Sequence, residues 1–171
     1  MSSDRLHDFA KAVVARQQEA DDVDEATMKA VARDLGMSDD DLLKAQAEGQ
    51  ERKRLAQTLR QQGLIEEVVV ELEQAHAFNP LDIEATVMLA NALVKRGRKT
   101  DSEVDLERAR ALCRAALKAA PANTEAASIL NVIQNNPAGA HKSVPPGLII
   151  GLAVAVGVVG VVVAALAHLF G

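Results

Sequence analysis

Two side chains bound the chemistry this sequence could perform, Cys113 and His76. Cys113 falls on the helical stripe Leu106, Ala109, Cys113, Ala116, Leu117 and Ala120. A nucleophilic thiol needs exposure and a neighbouring cation. A position inside an apolar stripe offers neither, so Cys113 reads as a small core residue. His76 lies near the end of a helix that must close before Pro80. The negative end of a helix favours imidazolium, but no acid–base partner stands at a fixed spacing, and His76 reads as a surface histidine. His7, His141 and His168 are scattered, and the sequence contains neither a phosphate-binding glycine loop nor a His-x-x-x-His pair. A single cysteine excludes an internal disulfide and a cysteine-based zinc cluster. Enzymatic activity, a cofactor and a bound metal are therefore not expected.

Binding is what remains. Residues 26–45, ATMKAVARDLGMSDDDLLKA, have the form of a helix-turn-helix. The second helix would open on Ser38-Asp39-Asp40-Asp41. Those carboxylates would meet phosphates spaced at one charge per ~1.7 Å of duplex axis. The whole chain carries a net charge of −5. Nucleic acid is not an expected partner, and a helix-turn-helix regulator is the weakest of three functional readings.

The elements that would carry a binding surface are helices. Of the 171 residues, 49% are hydrophobic but only 2% are aromatic, so the core must be Ala, Val and Leu, a composition suited to close-packed helices. Residues 1–50 hold 12 acidic and 6 basic side chains, against 12 and 13 in residues 51–142. This acidic N-terminal region reads as three helix starts. One is Asp4–Glu19, with the apolar stripe Leu6, Phe9, Val13 and Val14; one is Glu25–Leu35, ending at Gly36; the third is capped by Ser38 and Asp41.

Further along, two stretches align. Leu55-Ala56, Leu59, Gly63, Ala75 and Pro80 match Leu89-Ala90, Leu93, Gly97, Ala116 and Pro121 in order. The pattern resembles the tetratricopeptide repeat, whose period is about 34 residues. The two prolines stand 41 residues apart. The extra residues fall near 98–104, where Thr100 and Glu103 form a potential capping box. Ala122–Gln134 has the look of a closing helix, with Ile129, Leu130 and Ile133 on one side. The resemblance covers residues 51–134 and implies an all-α fold. That fold is a right-handed superhelix of about two hairpins plus a capping helix, with Gly63 and Gly97 ending the first helix of each hairpin.

The resemblance also implies a concave groove lined by the first helix of each hairpin. Its positions carry over to Lys53, Gln57 and Arg60, then to Val87, Asn91, Val94 and Lys95. Cations for charge, amides for backbone groups and valines for apolar side chains suit an acidic or carboxylate-ended peptide. The acidic N-terminal segment is a second possible occupant, folding over the basic groove.

Residues 135–147, NNPAGAHKSVPPG, read as a linker, and residues 148–170 contain no charged side chain apart from the titratable His168. As a helix this stretch would extend about 34 Å, enough for a hydrocarbon core of roughly 30 Å. Gly147 and Gly151, Ala153 and Gly157, and Gly160 and Ala164 form small-xxx-small steps suited to pairing helices in lipid. The expectation is a single transmembrane helix that leaves the N-terminal domain cytoplasmic, with a bacterial inner membrane suggested by the Ala/Val/Arg-rich composition. The leading functional reading is a membrane-anchored adaptor or scaffold that binds other proteins on the cytoplasmic side. The alternative is a self-assembling structural membrane protein, a homo-oligomer held by its repeats and its glycine-rich anchor.

Overall fold

A computed structural model describes residues 3–19 and 24–135, which fall within one compact unit, Met1–Ala138. The described residues form seven helices and no strand: α1 (Ser3–Glu19), α2 (Glu25–Asp34), α3 (Asp39–Gln61), α4 (Ile65–Phe78), α5 (Ile83–Thr100), α6 (Glu103–Ala119) and α7 (Thr124–Asn135). The all-α expectation stands. The transmembrane part of that fold class is corrected: no helix among the described residues is long and apolar enough to cross a membrane. The physical reason is amphipathicity. The 23-residue α3 has the length, but it carries Asp39, Asp40, Asp41, Lys44, Glu48, Glu51, Arg52, Lys53, Arg54 and Arg60. The single-pass localisation, with a cytoplasmic domain on a bacterial inner membrane, is corrected on the same finding. The expected span 148–170 lies outside the described residues, as do its packing positions Gly147, Gly151, Ala153, Gly157, Gly160 and Ala164.

Most of these helices start where a side chain can satisfy their first amide groups, whereas α4 starts after Leu64 with no side-chain cap. Ser38 and Asp41 form the expected capping box of α3. Asp24 caps α2, Asp82 caps α5 by accepting from the Ala85 amide at 3.0 Å, and Asn123 accepts from the Ala126 amide at 2.8 Å ahead of α7. The α6 cap is Ser102, which accepts from the Asp105 amide, rather than the expected pair of Thr100 and Glu103. Gly63, at φ +77°, ends α3 as anticipated, since an L side chain there would strain against its own carbonyl.

Gly97 does something else. It does not end a helix: α5 runs one turn further and stops at Asp101, itself left-handed at φ +58°. A Cβ on Gly97 would lie 3.0 Å from the Asp105 Cβ and from the Ser102 carbonyl oxygen. The glycine therefore lets the start of α6 press onto α5. Gly97→Ala is expected to overpack this crossing and cost about 2 kcal/mol. That is a fall of roughly 6 °C in Tm, read from thermal unfolding followed by circular dichroism.

The hairpins α3–α4 and α5–α6 pack in succession, and α7 rests on α5 and α6. α5 is the central element: Ala85, Thr86, Val87, Met88, Leu89 and Ala90 are all buried in sequence, so no face of that segment is left to solvent. Its core continues into Val68, Val69 and Leu72 of α4, Leu106, Ala109, Cys113 and Ala116 of α6, and Ala126, Ile129 and Ile133 of α7. A second cluster joins Phe9 and Val13 of α1, Met28 and Val31 of α2, and Leu42 and Ala45 of α3 to Ala77 and Phe78 of α4. The N-terminal helices thus dock on the hairpins, and α3 runs unbroken through the boundary expected at residue 50.

Candidate functional site

Ion pairs sort the cations of the hairpin region into two groups. The first group holds helices together. Lys53 Nζ donates to Asp82 Oδ2 at 2.7 Å and Glu84 Oε2 at 3.0 Å, tying α3 to the start of α5. Gln50 Nε2 donates to the same Asp82 oxygen at 2.7 Å. Burial opposes the Lys53 charge, but these acids outweigh it and hold its pKa above the ordinary lysine value. Burial likewise pushes Asp82 up, while the bonds from Lys53, the Ala85 amide and Gln50 bring it below the usual carboxylate range. Arg96 grips Asp105 with two bonds of 2.7 Å, which clamps α5 to α6. Arg52 pairs with Glu48 and Glu71, and Arg108 with Glu73.

Among the cations outside the first group are Arg60, Lys95 and Lys99. Their side chains make no ion pair or hydrogen bond with a described residue. With Gly63, Ile65 and Val68 they line a cleft of about 300 Å³. Arg60 comes from the last turn of α3. Gly63 supplies the turn and Val68 a buried floor. Lys95 and Lys99, one helical turn apart, come from the end of α5. Positive charge close to an apolar floor suits a ligand that presents carboxylate and aliphatic groups together.

The structure disperses the remaining groove candidates. Val87 and Val94 are only 2% and 5% exposed, because α5 is covered by its neighbours, α7 among them. Lys53 is buried and engaged. Gln57 is half-buried, its Nε2 3.9 Å from the Met88 sulfur, and Asn91 Nδ2 reaches Glu125 Oε1 at 3.5 Å. Of the seven expected residues, Arg60 and Lys95 meet in the cleft. Lys99, Ile65 and Val68 were not anticipated. The acidic N-terminal helices do not cover the cleft either: they pack on Ala77 and Phe78, roughly 20 Å along α4 from Ile65.

Desolvation is the largest influence on both residues considered for chemistry. Cys113 is buried, and burial together with Glu125 pushes its thiol up to about 11. His76, expected at the surface, is half-buried. Burial, helped by the nearby Arg108 guanidinium and opposed by Asp82, pushes its pKa down to about 4, so the ring is neutral near pH 7 with Nδ1 3.1 Å from Thr86 Oγ1. Among the described residues no group of His, Cys, Asp and Glu side chains is placed to hold a metal ion. Comparison of the chain with protein-family models, curated proteins and solved structures returns no match.

Proposed function

We propose that this chain is a protein-docking module. In this reading α3–α4 and α5–α6 are two tetratricopeptide-like hairpins closed by α7, and the cleft at Arg60, Lys95 and Lys99 receives an acidic segment of a partner protein. The supporting observation is the trio of uncompensated cations over Ile65 and Val68, in a chain whose net charge is −5 and whose cations elsewhere on the hairpins are largely paired. Cations without acidic partners form no ion pair that ties the helices together. The helix ends at Arg60 and Lys99 offset part of their charge, and an acidic ligand would offset the rest. A cleft of this size takes one aliphatic side chain and the carboxylates beside it.

The test is fluorescence anisotropy with a labelled peptide of Asp, Glu and Leu residues. The wild-type chain is expected to bind it, with affinity falling as salt is raised. Lys95→Glu/Lys99→Glu is expected to weaken binding by about a hundredfold, with Tm unchanged because both side chains are exposed. Equal binding by wild type and variant, or no binding by either, would remove the cleft as the docking site.

A further inference from the structure

The start of α3 is opposite in charge to the cleft at its end. Asp39, Asp40 and Asp41 fill its first turn. Asp41 is engaged: it accepts from the Ser38 amide at 3.1 Å and pairs with Lys44. Asp39 and Asp40 are exposed, and their side chains make no ion pair or hydrogen bond with a described residue. Lys29 feels the field of Asp39 but donates to Glu25. Leu43 follows Asp39 by four residues and Asp40 by three, which places all three on one helix face. It is 62% exposed. This face therefore presents two carboxylates and one aliphatic side chain together.

That combination is the one the cleft suits. Arg60, Lys95 and Lys99 offer three cations to the two acids, and Ile65 and Val68 offer Leu43 an apolar floor within about 300 Å³. Other surfaces match less well. Val104 is 77% exposed, but the acids beside it, Glu103 and Glu107, are both held by Arg110. A larger concavity of about 740 Å³ opens between α1 and α4, yet its carboxylates are already paired, Glu48 with Arg52 and Glu73 with Arg108, and its lining selects no occupant.

Within one chain the matching surfaces cannot meet. Asp40 and Arg60 stand near opposite ends of one unbroken helix, about 30 Å apart. Between two copies nothing holds them apart. The net charge of −5 opposes association. At physiological salt that repulsion is screened beyond roughly 8 Å, whereas charges in direct contact lie well inside this distance.

We infer that the partner of the cleft is a second copy of this chain. Asp39 and Asp40 of one copy meet Arg60, Lys95 and Lys99 of the other, and Leu43 rests on Ile65 and Val68. The inference rests on the docking function proposed above, since it names the acidic segment that the cleft receives.

Full-length protein analysed by light scattering after size exclusion, over a range of concentration and salt, tests it. Wild type is expected to exceed the mass of one chain, more so as concentration rises and less so as salt is added. Asp39→Lys/Asp40→Lys and Lys95→Glu/Lys99→Glu are each expected to weaken association by about a hundredfold. When the two variants are mixed, the intact cleft of the first meets the intact acids of the second, and their reversed surfaces again carry opposite charge. Association is expected to return, which a variant that had merely failed to fold could not achieve. Leu43→Ala is expected to weaken association by about tenfold and keep the helical circular dichroism spectrum. The Asp/Glu/Leu peptide, competing for the cleft, is expected to disperse the assembly. A wild type that keeps the mass of one chain yet binds this peptide would overturn the inference and leave the docking cleft standing. A wild type that neither associates nor binds the peptide would overturn both. Association indifferent to the two charge reversals, or variants that fail to associate on mixing, would overturn the inference.

Discussion

Replacing Asp82 with alanine is expected to lower the unfolding free energy by about 3 kcal/mol or more. One carboxylate does three things at the junction of α3, α4 and α5. It accepts from Lys53, accepts from Gln50 and caps the Ala85 amide. Removing it strands a lysine that is only 8% exposed, with Glu84 as its one remaining acid, and uncaps the central helix. Lys53→Met is expected to cost less, because it removes the buried charge itself and leaves Asp82 bonded to Gln50 and the Ala85 amide. Urea denaturation followed at the helical circular dichroism band measures both. If Lys53→Met proved the more damaging of the two, the assignment of Asp82 as the hub of this junction would fail.

The second large effect is a loss of stability on mild acidification, traced to His76. Its pKa lies at about 4 in the folded chain against 6.5 ordinarily, so the folded state holds this ring neutral. Below pH 6.5 the unfolded chain takes up a proton there and the folded chain does not. Stability therefore falls from pH 6.5 downward, by about 3 kcal/mol once the pH has passed the folded value. The aspartates act in a separate window. Asp82, and Asp105 beside Arg96, lie below their ordinary 3.8, so their contribution is complete above that value and is lost only as the pH drops through their lower folded values. His76→Gln is expected to flatten the decline between pH 6.5 and about 4 while leaving the steeper loss below it. A variant whose stability still fell as steeply as wild type in the upper window would show that another group is responsible.

How far the sequence can be read depends on whether the decisive interaction is local. Ser38 and Asp41 announce the start of α3 because a capping box is complete within four residues. Gly63 announces its end because a left-handed turn is a property of one residue. The stripe around Cys113 announces a buried thiol for a similar reason, since helical periodicity alone places it inside. Gly97 misleads because glycine serves two purposes. Alignment with Gly63 suggests a helix end, whereas here the missing side chain accommodates the approach of α6.

That single difference hides Lys99. With α5 ended at Gly97, Lys99 belongs to a loop; with α5 continued to Thr100, Lys95 and Lys99 stand one turn apart on the same side. The same limit applies to Lys53 and Val94. Their residue types suit a binding groove, but the partners that engage or bury them come from elsewhere in the chain. Asp82 lies 29 residues beyond Lys53, and no local pattern connects the two. His76 belongs to this class as well: its neutrality reflects burial by packed neighbours and the Arg108 guanidinium, neither of which its own helix reveals.

The proposed docking cleft and the buried polar junction use different residues, so substitutions at one are expected to leave the other intact. The most direct test of the central claim is nuclear magnetic resonance of the isotope-labelled full-length chain, titrated with the acidic Asp/Glu/Leu peptide. Shifts concentrated on the amides of Arg60, Gly63, Ile65, Val68, Lys95 and Lys99, and absent from the amides around Asp82, are the predicted result. Shifts centred on the α1/α4 groove, spread evenly over the surface, or missing altogether would contradict a docking function for this cleft.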